Sequence, residues 1–505
     1  MWTFFIALIL LIAGYLVYSR VSEKVFAVDN RETPAIASPD GVDKIPLKKS
    51  RAFLIELLNI AGTGPIFGAI SGALFGPIVF FWIVLGCILG GAVHDYYSGM
   101  ISSRNDGKSI VEVSGKYFGK IMKIVIRVFS VILLILVTAV FVVSPSSLLS
   151  NLTGNVIPAW CWMVLILAYY FLATILPIDK IIGKAYPIFG VTLIAMALAV
   201  IMGLMFHPAE YPMIELIGNI KDYSASIGKL PWWPFMFTTV ACGAVSGFHA
   251  TQSPMMAKCI RNEKEGRQVF YGAMVAEGVI ALIWAAAAMA FFKTNTAEGA
   301  TYLSGLGGGN SNTVQIICST LLGPVGTVLA IIGVVICPIT SGDTALRSAR
   351  LIIGEGVNLD QRRTGNRILL TIPLFVVVVG ISLWNFLDPR NFNVLWSWFA
   401  WCNQVLAALS LWLSSCYLLK EGKYKYGSLL TAAPASFMTA IVLNYIIEQP
   451  QIMLGRVFPR FVSTIISVSV AVILLFLQLY FILKKRKSCG NHDAELKFKQ
   501  QKGEK

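Results

Sequence analysis

Two short segments place helix-breaking and polar residues inside otherwise apolar stretches. The first is NIAGTGP at positions 59–65, and the second is ACGAVSGFHATQSP at positions 241–254. Glycine permits unusual backbone conformations, and proline is well suited to the first turn of a helix. The N-terminus of such a half-helix offers unpaired N–H donors and a partial positive charge, which together suit a carboxylate. The two segments therefore predict a binding site for a carboxylate substrate.

The candidate substrate-binding residues come from these two segments and from a third. The third segment, LWSWFAWCNQVLAALS at positions 395–410, carries two amides inside an apolar stretch. Such amides either bond neighbouring helices to one another or line a cavity, and the first role is favoured. The predicted substrate-site residues are Ala61, Gly62, Thr63, Gly64, Pro65, Gly243, Ser246, Gly247, His249, Gln252, Asn403 and Gln404.

Close packing of helices is the alternative explanation for the glycines. Glycines recur at every fourth residue from Gly64 to Gly76, a spacing that lets two helices approach each other closely. Packing accounts for the later glycines of this series, whereas Thr63-Gly64-Pro65 favours the binding interpretation. His249 keeps two interpretations, a ligand in the break or a hydrogen-bonded histidine of the core.

A further segment, CPITSGDTALRSAR at positions 337–350, could bind a coupling ion. Thr340 and Ser341 offer oxygen atoms to a hard cation or to a water that carries a proton. Asp343 is a carboxylate inside the membrane or at its edge, where such a group is usually functional. An ion pair between Asp343 and Arg347, four residues apart on one helix, is equally compatible with the sequence.

His94 and Asp95 are the remaining candidates for ion coupling. They lie about two helical turns before Arg104 and therefore inside the membrane. A histidine beside an aspartate could relay protons near neutral pH. Adjacent residues of a helix point about 100° apart, however, so pairing with a neighbouring span is the favoured alternative.

These candidates need elements to position them, and the composition indicates membrane helices. The chain has 505 residues, of which 56% are hydrophobic and 13% charged, with a mean hydropathy of +0.72. These values are typical of a protein that crosses the membrane many times. Windows long enough to cross ~30 Å of hydrocarbon predict 13 spans. They lie near 2–19, 53–74, 77–101, 121–145, 159–177, 185–206, 232–256, 269–292, 324–346, 368–387, 394–419, 428–447 and 461–483.

The positions of the basic residues predict the orientation of these spans. If the N-terminus is outside, the inner loops and tail hold 35 of the 41 lysines and arginines. This bias predicts a protein of the cytoplasmic membrane whose N-terminus lies outside the cell and whose C-terminus lies in the cytoplasm. The net charge of +15 is thus explained by topology, and no nucleic-acid partner is expected. The nine cysteines include no C-x-x-C pair, so we expect no zinc knuckle and no disulfide framework.

The order of the spans predicts an inverted repeat. Spans two to six begin inside and spans seven to eleven begin outside, which is the pattern of an inverted-topology transporter. The first span of each set of five is the interrupted one, as expected where substrate binds at the interface of two repeats. The predicted organisation is an N-terminal span with a cytoplasmic loop (1–51), a first repeat (52–206), a second repeat (207–419), two accessory spans (420–483) and a basic cytoplasmic tail (484–505).

Several segments resemble the carbon starvation protein A (CstA) family. They are NIAGTGP (59–65), GAVHDYYSGMISSRNDGKSIVE (91–112), TVACGAVSGFHA (239–250), DTALRSAR (343–350) and LWSWFAWCNQVLAALSL (395–411), in the order expected of that family. The resemblance implies an inner-membrane transporter that imports peptides, or pyruvate in some members, when preferred carbon is scarce. It also implies a LeuT-type core of five plus five helices. The chain departs from longer members at positions 55–59 and at His94, which leaves its substrate range and coupling ion open.

The sequence thus predicts an all-α secondary active transporter and not an enzyme. We expect it to import a peptide or a small carboxylate by alternating access, coupled to a proton or to sodium. The lipid bilayer is the other expected partner, and no cofactor or metal is expected. Two alternatives are a passive channel and a membrane sensor of starvation that transports nothing.

Overall fold

The computed structural model describes residues 1–176, 182–221, 223–226, 231–306, 311–388, 390–449 and 458–501. The regular secondary structure of this part is helical, apart from an isolated bridge between Glu32 and Asn262. Single helical turns at Pro34–Ala37 and Tyr223–Ser226 lie in the connections. The longer helices are α1 (Trp2–Phe26), α2 (Lys49–Ala61), α3 (Gly64–Phe75), α4 (Ile78–Arg104), α5 (Ile110–Phe118), α6 (Lys120–Leu152), α7 (Ala159–Ile175), α8 (Ile182–Phe206), α9 (Trp232–Thr239), α10 (His249–Ala257), α11 (Glu263–Phe292), α12 (Ala297–Gly305), α13 (Ser311–Gly356), α14 (Thr364–Leu387), α15 (Asn391–Glu421), α16 (Leu429–Glu448) and α17 (Arg460–Gln501).

Ten of the described helices are long and apolar enough to cross a membrane. The number becomes eleven if α2 and α3, which meet at a bend of 58°, form a single span. The other two predicted spans correspond to α7, an apolar helix of 17 residues, and to the pair of short helices α9 and α10. The count of 13 spans, the five-plus-five arrangement and the domain boundaries therefore stay predictions.

The helices differ in how much of their surface is buried. Helix α11 is buried along most of its length, and its run of alanines at 285–288 lies in the interior. Helices α1 and α17 instead expose many large apolar side chains, as expected of helices that contact lipid. The fold thus has a central group of helices with more peripheral helices around it.

The two interrupted helices lie in that central group. Helix α13 packs along α6, and α10 packs on α4. Helix α11 contacts both α2 and α3, while α15 contacts α9, α10 and α6. Helices α16 and α17 extend the fold sideways from α15, since α15 packs on α16 and α16 packs on α17. This arrangement brings both breaks and the segment at 337–350 into one buried region.

Candidate functional site

The first break separates α2 from α3 and is two residues long. Helix α2 ends at Ala61, and Gly62 has φ 51° and ψ −150°, a conformation that is open almost only to glycine. Pro65 then stands in the first turn of α3, where its missing N–H is harmless. The residue types at this break therefore account for the change in chain direction.

A hydroxyl from α13 completes the end of α2. The Gly62 N–H donates to Ser341 Oγ at 3.0 Å, and Ser341 Oγ donates to the Leu58 carbonyl at 2.7 Å. In an uninterrupted helix the N–H of residue 62 would donate directly to the carbonyl of residue 58. Ser341 is thus inserted into the backbone hydrogen bond that the break opens, and one of the predicted substrate donors is already occupied.

The second break, between α9 and α10, is longer and runs from Val240 to Phe248. Its backbone is bonded to amides of α15. Asn403 Oδ1 accepts hydrogen bonds from the Phe248 N–H at 2.6 Å and from Ser246 Oγ at 3.2 Å. Gln404 Nε2 donates to the carbonyl of Val245 at 3.1 Å. Buried backbone groups need such partners in a membrane interior, so the α15 amides hold this break open.

The two breaks are packed directly against each other. A Cβ atom on Gly64 would overlap the Cys242 side chain, and one on Gly68 would come 2.6 Å from the Thr239 carbonyl oxygen. A Cβ on Gly247 would overlap backbone atoms of α15, and one on Gly243 would overlap Ala281. Close packing therefore applies to Gly64 as much as to the glycines that follow it. Residues 61–65 are buried in this conformation.

Two cavities approach the first break along α3. One cavity of about 430 Å³ is lined by Phe67 together with Ser147, Asn151 and Asn385. A smaller cavity of about 240 Å³ reaches Ser71, one turn after Phe67 on α3. These lining residues lie towards the side of the membrane that the charge distribution predicts to be outside.

Buried arginines close the opposite side. Arg347 Nη1 lies 3.4 Å from Asp43 Oδ1, and its Nη2 donates to the carbonyl of Leu176 at 2.8 Å. Arg350 donates to the Thr174 carbonyl at 2.5 Å. Asp43 belongs to the connection between α1 and α2, so this connection lies beside the end of α7 and the arginines of α13. Arg347 thus pairs with Asp43, whereas the sequence offered Asp343 as its partner.

The three predicted ion-coupling residues of α13 face different neighbours. Thr340 Oγ1 donates within its own helix, to the carbonyls of Ile336 and Cys337 at 3.0 and 2.9 Å. Ser341 faces the end of α2, as described above. Asp343 faces α7 and α8, where Tyr169 and Tyr186 hydroxyls both donate to its Oδ2 at 2.6 Å. The side-chain oxygens of Ser341 and Asp343 therefore serve separate contacts.

His94, Asp95 and His249 come together in one buried cluster. Asp95 Oδ1 lies 2.7 Å from His94 Nδ1, and Asp95 Oδ2 lies 2.8 Å from His249 Nδ1. The carboxylate thus bonds both its sequence neighbour on α4 and a residue of α10. Gln252, one turn after His249, faces α13 instead: its Nε2 is 2.8 Å from Thr251 Oγ1 and 3.4 Å from Ser348 Oγ.

The sequence reasoning missed three buried residues of this region. Glu277 lies on α11, and its Oε2 atom is 3.5 Å from His249 Nε2. Glu56 of α2 accepts a hydrogen bond from Ser253 at 2.8 Å. Cys242 lies in the second break, near both His249 and Glu277. A carboxylate within an apolar span is a signal of function, and this signal was present at Glu277 in the segment AMVAEGVIALIW.

Comparison with known proteins gives a family and several named relatives. The family model "Carbon starvation protein CstA" matches residues 1–161, 156–307 and 295–444. An uncharacterized membrane protein of Haemophilus influenzae is 42% identical over 340 residues, which cover 58% of this chain and 91% of the relative. Peptide transporter CstA of Helicobacter pylori is 25% identical over 546 residues, covering 85% and 79%. Pyruvate/proton symporter BtsT of Escherichia coli is 27% identical over 344 residues, covering 56% of this chain and only 48% of the relative.

Solved structures of transporters share the fold. MhsT in complex with L-phenylalanine superimposes with a TM-score of 0.55 at 13% identity, covering 86% of this chain and 99% of that one. A mutant of the Eremococcus coleocola manganese transporter gives a TM-score of 0.56, also at 13% identity, and covers 89% of this chain and 99% of its own. At such low identity the likeness concerns the fold and carries no information about the substrate.

Proposed function

Because the chain belongs to the carbon starvation protein CstA family, we propose that it is a secondary active transporter of the inner membrane that imports peptides or pyruvate-like carboxylates. The observation that carries this proposal is the contact between two broken helices at a buried centre, with cavities on one side and arginines closing the other. Broken helices in corresponding places are typical of substrate sites in inverted-repeat transporters.

The carboxylate is the chemical group common to the proposed substrates. Relatives are named for peptide transport and for pyruvate/proton symport, and both kinds of substrate carry a carboxylate. The start of α3 at Gly64 and the second break at Ser246 are the parts of the site that suit it, since backbone N–H groups and a hydroxyl donate to anions. Thr63 Oγ1 is buried and has no hydrogen-bond partner among the described residues, so it is available to a substrate.

Alternating access explains why the predicted site is closed here. Cavities approach α3 from the side predicted to be outside, while Arg347, Arg350 and Asp43 close the other side. We propose that separation of Arg347 from Asp43 opens the path to the cytoplasm after substrate has bound. A permanently open pore would have no such closure, and measured flux separates a transporter from a sensor that binds the same ligand.

A proton is the coupling ion that suits Asp343. Its Oδ2 accepts from two tyrosine hydroxyls, and its Oδ1 has no hydrogen-bond partner among the described residues. Sodium needs several oxygen lone pairs around it, whereas the two tyrosines present donor hydrogens to the carboxylate. We assign coupling to Asp343 rather than to the predicted relay at His94 and Asp95, because both oxygens of Asp95 are already held by histidines.

Transport by purified protein in proteoliposomes tests the proposal. Labelled pyruvate and labelled dipeptides are offered separately, with a pH gradient or a sodium gradient imposed. We expect accumulation above the outside concentration under the pH gradient for at least one substrate. Uptake that never exceeds the outside concentration would indicate a channel, and no uptake of any substrate would favour the sensor.

Three variants connect the transport assay to the site. We expect Thr63→Phe and Ser246→Phe to disturb the closed contact between the breaks and to abolish uptake while size-exclusion chromatography still shows folded protein, whereas the matched control Ser319→Phe, at an exposed serine of α13, transports normally. Asp343→Asn loses accumulation under the pH gradient but keeps exchange of labelled for unlabelled substrate. Normal transport by both Thr63→Phe and Ser246→Phe would remove the two breaks as the substrate site.

A further inference from the structure

We propose that Cys242, His249 and Glu277 form a binding site for a divalent transition-metal ion with the ligand preferences of Zn²⁺. The site includes part of the second break and uses His249, which the sequence offered to the substrate; it leaves free Thr63, Gly64 and Ser246, which are proposed above for the substrate carboxylate, and Asp343, which is proposed for the coupling proton. This proposal goes beyond transport. Binding of a metal ion to the site can be measured without any substrate or ion gradient.

Three elements bring the ligand atoms together. Cys242 lies in the second break, His249 is the first residue of α10, and Glu277 lies within α11. One sulfur, one ring nitrogen and one carboxylate oxygen from these residues all lie within 4.8 Å of one another. His249 Nε2 and Glu277 Oε2 are 3.5 Å apart, which is long for a hydrogen bond. It is close to the about 3.3 Å expected between two ligands of one tetrahedral zinc ion.

Several side-chain atoms of the cluster have no hydrogen-bond partner in the described part of the chain and could bind a cation. Both oxygens of Glu277 and the Nε2 atom of His249 lack a hydrogen-bond partner among the described residues, and all three ligand residues are buried. A buried carboxylate without a donor is unfavourable unless it is protonated, paired or bound to a metal. A metal ion shared by Glu277 and His249 would satisfy both residues at once.

Asp95 supplies the outer support that a metal-binding histidine usually has. Its Oδ2 atom lies 2.8 Å from His249 Nδ1, and its Oδ1 atom lies 2.7 Å from His94 Nδ1. A carboxylate that accepts a hydrogen bond from the Nδ1–H group leaves the lone pair on Nε2, which is the nitrogen that faces Glu277. Asp95 is therefore a positioning residue for His249, and this role explains why Asp95 and His249 are buried together in the interior.

The thiol decides the class of ion. Sodium, calcium and magnesium prefer oxygen ligands, whereas sulfur together with imidazole and a carboxylate selects zinc and similar transition metals. An ammonium group of a substrate would gain little from a thiol. Three protein ligands leave a fourth position for water or another ligand, as in zinc sites that exchange a ligand.

A cobalt titration tests the site directly. The full-length protein is purified in detergent, treated with a chelator and titrated with Co²⁺ alone, followed by Zn²⁺ alone. We expect one equivalent of Co²⁺ to bind with a thiolate-to-cobalt charge-transfer band in the near ultraviolet, and Zn²⁺ to displace it and raise the melting temperature. Cys242→Ser should lose the band, whereas Cys318→Ser, a matched control at another buried cysteine, should keep it. Absence of the band in the unaltered protein, or its survival in Cys242→Ser, would overturn the proposal.

Two further variants separate metal binding from a purely structural role. Asp95→Asn leaves all three ligands in place but weakens the support of His249, so Co²⁺ affinity should fall about 10- to 100-fold while the band returns at saturation. Glu277→Gln removes a ligand and should lower the Co²⁺ affinity at least as much. If Cys242→Ser does not fold, this variant tests whether the cluster binds the metal. Unchanged Co²⁺ affinity in both variants would overturn the site. Failure of pyruvate and dipeptide uptake would count against the transport proposal and leave this titration unaffected.

Discussion

The two breaks achieve the same interruption in different ways. The first is two residues long and depends on the backbone conformation of Gly62 and on one inserted hydroxyl from Ser341. The second runs over residues 240–248 and depends on amides of α15, which bond its backbone at Phe248 and Val245. The first break is therefore largely a local feature, whereas the second exists because another helix supplies its hydrogen-bond partners.

This difference has a consequence for chemistry. A two-residue break exposes few backbone groups and has little room for side chains. A nine-residue break carries Cys242 and Ser246 and is followed directly by His249, so it can bring ligands from the chain into contact with α4 and α11. The longer break thus offers more side chains that can bind a ligand. Its conformation is also more sensitive to the loss of tertiary contacts. Four substitutions test this contrast.

The largest effect is expected for Gly247→Ala in the second break. The new methyl group would overlap the Asn403 carbonyl and the backbone nitrogen of Ala407, which are parts of α15 that cannot rotate away. Overpacking usually costs about 1–3 kcal/mol, and a backbone obstacle places this variant at or above the upper end. We expect little folded protein in detergent and no uptake, measured by size-exclusion chromatography and thermal unfolding. A melting temperature equal to that of the unaltered protein would show that α15 does not lie against this break.

The next largest effect is expected for Asn403→Ala. This change removes the oxygen that accepts from the Phe248 N–H and from Ser246, leaving two buried donors without a partner. Each unsatisfied buried group costs about 1–3 kcal/mol, so the melting temperature should fall clearly. Uptake should fall with it, because the break loses its shape. Thermal unfolding and uptake measured on the same preparation check both, and an unchanged melting temperature would contradict the role of α15.

A smaller effect is expected for Ser341→Ala at the first break. Without the hydroxyl, the Gly62 N–H can move towards the Leu58 carbonyl and restore the helical hydrogen bond. The net cost should therefore be about 0.5–1.5 kcal/mol, the value of an ordinary hydrogen bond. Thermal unfolding beside Asn403→Ala gives the comparison. If Ser341→Ala is the more damaging of the two, then the first break depends on tertiary contacts as strongly as the second.

The smallest effect is expected for Gly380→Ala, a reference glycine in α14. A Cβ there meets no atom within 4 Å, and the residue lies inside a regular helix away from both breaks. Alanine is better than glycine in a helix by at most about 1 kcal/mol, so the melting temperature should stay equal or rise slightly. Uptake should be normal. A clear loss of stability would mean that glycine substitutions in this membrane protein are harmful wherever they lie, which would weaken the conclusion drawn from Gly247.

Several features could be predicted from the sequence because they depend on local composition. Membership of the CstA family, predicted from segments such as TVACGAVSGFHA, is confirmed by the family match along the chain. The all-helical membrane character is confirmed as well, since ten described helices can cross a bilayer. Both predicted interruptions coincide with non-helical backbone, at Gly62 and at residues 240–248. The substrate and ion roles of individual residues stay predictions.

Other features could not be predicted, because they depend on which helices become neighbours. The spacing of Thr340, Ser341 and Asp343 suggested a single ion site, yet their side chains contact different helices. Asn403 gave no sign in the sequence that its partner would be the backbone at Phe248. Pairwise contacts of this kind join residues more than a hundred positions apart, so no local pattern records them.

The sequence by itself therefore determined that the chain is a helical membrane protein, which family it resembles and where two of its helices break. Hydrophobicity, glycine and proline act over a few residues, and their effects can be read along the chain. The tertiary structure alone decided that Cys242, His249 and Glu277 meet, with Asp95 bonded to His249, and that Ser341 closes the end of α2. Ligand geometry and buried hydrogen bonds depend on distances of a few ångströms between helices, and packing of the whole fold sets those distances.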